Sequence, residues 1–194
     1  MKRIHISVAP ADVSPQQKKN FLNVQVDAVG IGLANAAASF LPIFLARLDA
    51  TTYQVGLLTS MPALAGLLLS IPVGSFLQRQ RKIVPWFSIS RLVVVACYAV
   101  TGLVGFFIPP QAMVKAVLLI WAFATLPQTI LAVSFWVVMN EVAGPAHRYE
   151  LMSRRWSILG LTTAVTTLVA GQMLDSIPFP LNYQILFLFL SLGG

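Results

Sequence analysis

Residues 21–45 read FLNVQVDAVGIGLANAAASFLPIFL, and this stretch decides the fold. It holds a single charged side chain, Asp27, among mostly apolar and small residues. A helix rises about 1.5 Å per residue, so the stretch exceeds the ~30 Å of a bilayer's hydrocarbon core. Backbone N–H and C=O groups have no water to pair with there, which makes helix the expected conformation. Lys18 and Lys19 before the run and Ala34-Asn35-Ala36 within it imitate a cleavable secretory leader. Against that reading, Asp27 interrupts the apolar core and apolar sequence continues to Leu45, so a retained span is predicted.

Outward from this stretch the pattern repeats. Four further apolar runs cover 55–77, 83–108, 116–139 and 156–174, and a shorter one covers 183–194. Of the 13 Lys+Arg and 6 Asp+Glu in the chain, only Asp27 and Arg91 fall inside these runs. The 194 residues are 57% hydrophobic and 10% charged, with mean hydropathy +0.80, whereas soluble domains carry about 25% charge. These values exclude a water-soluble core and a disordered chain. No ten-residue alternation favours a membrane β-barrel. The net charge of +7 does not indicate a nucleic-acid partner, which requires a solvated basic face. The partner implied is the lipid bilayer. Cys97 is the single cysteine, which excludes an intrachain disulfide framework and a Cys-rich metal site.

The basic residues alternate between the two sides. Residues 1–20 hold Lys2, Arg3, Lys18 and Lys19, and 46–54 hold Arg47. Residues 78–82 hold Arg79, Arg81 and Lys82, and 109–115 hold Lys115. Residues 140–155 hold Arg148, Arg154 and Arg155, and 175–182 hold none. Positively charged loops stay in the cytoplasm, so a multi-pass protein of the plasma membrane with a cytoplasmic N-terminus is expected. The predicted organisation is a flexible cytoplasmic tail, 1–20, followed by one transmembrane domain, 21–194. The last run would make only ~18 Å of helix, so the sixth span is expected to be truncated and the chain a fragment. Glu150 and Arg154 stand at i, i+4, which predicts a short interfacial helix within the 140–155 connection.

Small residues recur at helical spacing: Gly30, Ala34 and Ala38, then Gly66, Ser70 and Gly74, then Gly160 and Ala164. Such stripes let backbones approach closely in lipid, and they predict a packed bundle. Pro42, Pro62, Pro72 and Pro127 lie in or near the spans, where each permits a kink.

No catalytic constellation is present. His5 and His147 lie in the tail and a loop, no metal-ligand spacing occurs, and no phosphate-cradling loop is found, so neither an enzyme nor a cofactor is predicted. Asp27 and Arg91 are the charged groups at depth, at similar height in the half that begins the odd-numbered spans. They form either a pair or the rim of a water-filled cavity on a substrate or proton pathway. Alternatively, Arg91 snorkels and Asp27 is favoured by the helix N-terminus. Asn35 and Gln128, uncharged polars near mid-span, are further pathway candidates. Ser134, Trp136 and the Thr162/Thr163/Thr166/Thr167 group are weaker ones, and the threonines suit helix–helix hydrogen bonding.

Between the second and third runs stands Gly74-Ser75-Phe76-Leu77-Gln78-Arg79-Gln80-Arg81-Lys82. It resembles the Gly-x-x-x-Asp-Arg-x-Gly-Arg-Arg/Lys loop of major facilitator superfamily (MFS) transporters. Gly74, Arg79 and the basic end match, while Gln78 replaces the acidic residue and the second glycine is missing. Pro145-Ala146-His147-Arg148, Arg154-Arg155-Trp156 and Gly171-Gln172-Met173-Leu174-Asp175 are similar to later family segments. The chain after residue 20 thus resembles the N-terminal half of such a transporter.

The resemblance implies an all-α, six-helix half-bundle made of two inverted three-helix repeats. It implies substrate binding near the midplane and alternating access between two halves. It places Asn35 and Gln128 in spans that line the cavity, Asp27 nearer the cytoplasmic mouth, and Arg91 on a usually peripheral span. The Gln78 substitution puts the family's carboxylate lock between halves in doubt. Transport of a small-molecule substrate with a C-terminal half, here missing, is the expected function. A self-pairing six-span protein in which a second copy supplies that half, or a non-transporting membrane assembly protein, are the alternatives.

Overall fold

The computed structural model describes residues 9–10 and 13–193, apart from the side chain of Pro145. Lys2, Arg3, His5 and Gly194 lie outside the described residues. The described chain is all-helical, without strands. Six helices follow one another: α1 Pro15–Arg47, α2 Thr52–Gln78, α3 Val84–Phe107, α4 Pro110–Gly144, α5 Ala146–Ser176 and α6 Leu181–Ser191. The first five are long and apolar enough to cross a membrane, as the apolar runs predict.

Helix starts are set by local chemistry rather than by the apolar runs. α1 begins within the expected tail because Ser14 and Gln17 form a reciprocal capping box: Ser14 Oγ accepts from the Gln17 N–H at 3.3 Å, and Gln17 Oε1 accepts from the Ser14 N–H at 3.1 Å. Pro15 follows at the first helical position, where its missing N–H costs nothing. Thr51 and Gln54 repeat the device at the start of α2. At the end of α1, Asp49 takes a left-handed conformation (φ 59°), and the Ala50 N–H returns to the Leu45 carbonyl at 3.1 Å, which satisfies the last turn.

The expected connection 140–155 is not a loop with a short interfacial helix. α4 runs on to Gly144 and α5 starts at Ala146, so the chain reverses over a single non-helical residue, Gly144 (φ 67°, ψ 171°). Only glycine occupies that region readily. Glu150 and Arg154 do bond at i, i+4, at 2.5 Å, but on the first turns of a spanning helix.

Buried apolar side chains form two separate clusters. One joins the ends of α1, α4 and α6 to α3, with Phe44 stacked on Tyr183 at 5.2 Å and Tyr98 edge-on to Trp121 at 4.7 Å. The other joins the opposite end, where Ala9, Val13, Phe21 and Val24 pack on Met139, Ala143 and Leu151. Asn182, fully buried, ties α6 to α5 by donating to the Leu174 carbonyl at 2.8 Å.

The predicted small-residue stripes only partly carry the packing. Side chains added at Gly66 or Gly160 would meet nothing within 4 Å. The close approaches occur elsewhere: at Gly32, where a Cβ would lie 2.6 Å from Thr162 Cβ, and at Gly102, beside the Gln184 carbonyl. α2 has only Val73 and Leu77 buried and exposes Leu64, Leu67, Leu68 and Ile71. In a bilayer those side chains are solvated by lipid or by another helix, so exposure of this kind is no defect.

Two outcomes follow from this geometry. With Cys97 buried as the only native thiol, Arg79→Cys and Arg148→Cys are expected to react with a membrane-impermeant maleimide from the same face of sealed vesicles, and Thr52→Cys from the opposite face. Gly144→Ala is expected to destabilise the protein by about 1–3 kcal/mol in detergent unfolding, because alanine resists that backbone region.

Candidate functional site

Between the two apolar clusters, three charged side chains meet. α1, α3 and α5 run in the same direction, and Asp27, Arg91 and Arg155 each lie a few turns in from the same end. Arg155 Nη2 donates to Asp27 Oδ2 at 3.4 Å, and Arg91 Nε lies 3.8 Å from Asp27 Oδ1. The side chains are 3% (Arg155), 18% (Arg91) and 30% (Asp27) exposed. The Arg155 guanidinium also rests over the Phe135 ring at 4.8 Å and near Trp156 at 5.8 Å, so aromatic faces supply part of the environment water would otherwise give.

A charge at bilayer depth costs several kcal/mol unless it is paired or hydrated. One carboxylate shared by two guanidinium groups answers that cost and leaves one positive charge over. The donors outnumber the acceptors as well: Arg91 Nε and Nη2 and Arg155 Nε are buried and donate to no protein acceptor among the described residues.

The trio separates two cavities. The deeper one has a volume of about 460 Å³, is open on one side, and is lined by Asn35, Arg91, Phe135, Trp136, Arg155 and Trp156 among others. The second, about 360 Å³, lies toward the end where the odd-numbered helices begin and is lined by Asn20, Asn23, Asp27 and Ser88. Phe87 borders both.

The structure thus brings Asp27, Arg91 and Asn35 into one region. Arg91 lines the same cavity as Asn35. Gln128 is elsewhere, on a smaller cavity of about 220 Å³ with Thr59, Tyr98 and Trp121. Gly74 approaches Val133, while Gln78, Arg79, Arg81 and Lys82 are exposed at the end of α2. Arg81 and Lys82 share a surface cleft with Glu141 of α4. Arg148 sits against Tyr149, and Arg154 pairs with Glu150.

Arg155, which the sequence pattern assigns to a loop with Arg148 and Arg154, is buried inside α5. A charge run hides it in a hydropathy scan, but its phase reveals it: Leu151, Arg155 and Leu159 stand at i, i+4, i+8, and all three are buried. Among the other polar residues, Ser134 is spent on its own helix, donating to the Ile130 carbonyl at 2.5 Å. Thr163 Oγ1 bonds across helices to the Gly32 carbonyl at 3.1 Å. Among the described residues no three His, Cys, Asp or Glu side chains converge to hold a metal ion.

Removing one member should expose how the trio is coupled. Arg155→Gln is expected to destabilise more than Arg91→Gln, since Arg155 is the more buried and holds Asp27 at the shorter distance. In double-mutant cycles with Asp27→Asn, read by thermal unfolding, the Asp27–Arg155 coupling should be the larger, within about 0.5–3 kcal/mol.

No protein-family model, no curated protein and no solved structure matches the chain.

Proposed function

We propose that the protein moves a small solute across a membrane by alternating access, as one six-helix half of an MFS-type bundle in the plasma membrane with its N-terminus in the cytoplasm. One observation carries this reading: Asp27, Arg91 and Arg155 meet at depth between apolar layers and stand between two cavities. Buried charge in a spanning bundle is costly, and it marks solute or ion pathways where it occurs.

The remaining features support the reading without carrying it. Arg79, Arg81, Lys82 and Arg148 gather near the connections at one end, which favours that end as cytoplasmic. Six helices divide into two runs of three, and an odd run inverts the second relative to the first. The deeper cavity is open on one side, which suits closure by a second half. The exposed apolar face of α2 also suits a second copy of the chain in that place.

The test is flux into vesicles carrying the protein, alone and with a second six-helix half, using neutral, cationic and anionic labelled solutes. Transport of at least one class is expected, with Arg91→Gln and Arg155→Gln each lowering it by about tenfold or more at equal protein level. Unimpaired flux in both variants, or no flux under any pairing, would overturn the proposal.

A further inference from the structure

The charge balance of the deeper cavity specifies its ligand more narrowly than the transport reading does. Two guanidinium groups face one carboxylate, so the wall keeps an uncompensated positive charge. No other described carboxylate is placed to cancel it. Asp49 lies in the turn after α1, Glu141 borders the cleft of Arg81 and Lys82, Glu150 holds Arg154, and Asp175 closes α5. Arg91 and Arg155 both line this cavity, and their buried Nε groups, with Arg91 Nη2, find no acceptor among the described residues. Guanidinium N–H groups are matched by carboxylate-type oxygens in charge and geometry.

The rest of the wall is apolar and aromatic, with Phe87, Phe135, Trp136 and Trp156 around the cavity. Such walls hold a flat or apolar body, while a few polar groups fix its orientation. Asn35, exposed to the cavity and offering both a donor and an acceptor, is placed to bond a second polar group.

We infer that the cavity between α1, α3, α4 and α5 binds an organic monoanion, a carboxylate on an apolar or aromatic body, with Arg91 and Arg155 holding the carboxylate and Asp27 restricting the site to one negative charge. If the transport reading holds, this anion is the class of solute carried; binding itself does not depend on that reading.

The cavity contains two tryptophans, so binding is readable by intrinsic fluorescence of the purified protein in phosphatidylcholine nanodiscs. The probes are phenylacetate, phenylacetamide and 2-phenylethylammonium, which share a body and differ in charge. Phenylacetate is expected to change the emission saturably and to bind about tenfold or more tighter than either analogue. Trp136→Phe and Trp156→Phe should shrink the signal. Arg91→Gln and Arg155→Gln should each weaken phenylacetate by about tenfold or more while leaving phenylacetamide within about twofold. Should Arg155→Gln fail to fold, Arg91→Gln and the three-probe comparison on the unaltered protein still decide the matter.

Equal or tighter binding of the amide or the ammonium, or binding of none of the three, overturns the assignment. So does a response to added phosphatidylglycerol without one to phenylacetate, which would make the anion a lipid headgroup. Charge-selective binding without flux would leave this site standing and remove the transport reading. Flux of a neutral or cationic solute without phenylacetate binding would do the reverse.

Discussion

A carboxylate among membrane-length apolar helices is costly unless it is paired or hydrated, and Asp27 is paired, accepting from Arg155 and lying beside Arg91. The requirement reaches well beyond the three side chains. It fixes the relative height of α1, α3 and α5, since each contributes one member, and it ties the three parallel helices at a level between the two apolar clusters. It also explains why Phe135 and Trp156 crowd the Arg155 guanidinium: an aromatic face is among the few neutral surfaces that stabilise a cation away from water. Pairs of this kind contribute little net stability, because desolvation offsets most of the attraction. Their effect is to make one register of the helices far less costly than its neighbours.

The single-residue reversal at Gly144 is what delivers Arg155 to that register. α4 contributes Phe135 and Trp136, and α5 contributes Arg155 and Trp156, from opposite sides of the same turn. With so short a connection α5 begins packing at once, and Leu151 is fully buried within its second turn. The basic cluster after α4 is therefore divided by helical phase. Arg154 turns to Glu150 near the surface, while its neighbour Arg155 turns inward.

Much of the architecture was legible in the sequence because lipid imposes a length and a polarity that a hydropathy scan detects directly. The long helices and the exceptional positions of Asp27 and Arg91 follow from that alone. Helix ends were less legible, since they depend on short-range chemistry, such as the Ser14/Gln17 box and the Asp49 turn, that a scan averages away. Arg155 is hidden from any window average, in which Arg148, Glu150, Arg154 and Arg155 merge into one polar run. Its position on the Leu151/Leu159 stripe was the available signal. The small-residue stripes misled for a related reason: spacing shows which residues share a face, but not whether a neighbour comes to that face. Gly32, outside every predicted stripe, makes the tightest approach to α5. Gln128 and Asn35 were indistinguishable as mid-span polars, and only tertiary packing sends them to different cavities.

The division of the apolar core into two clusters has a mechanical corollary. A bundle with one continuous core resists bending along its whole length, because loosening one end strips contacts from the other. Here the grip at each end is self-contained, with Phe44, Tyr183 and Phe187 at one and Phe21, Met139 and Leu151 at the other. The waist between them is held by the Asp27 trio and by the close contact of Gly32 with Thr162 and Thr163, a narrow set of contacts rather than a layer of interlocked apolar side chains. The molecule is thus built like a pair of clamps on a common pivot, in which prising one jaw apart need not slacken the second.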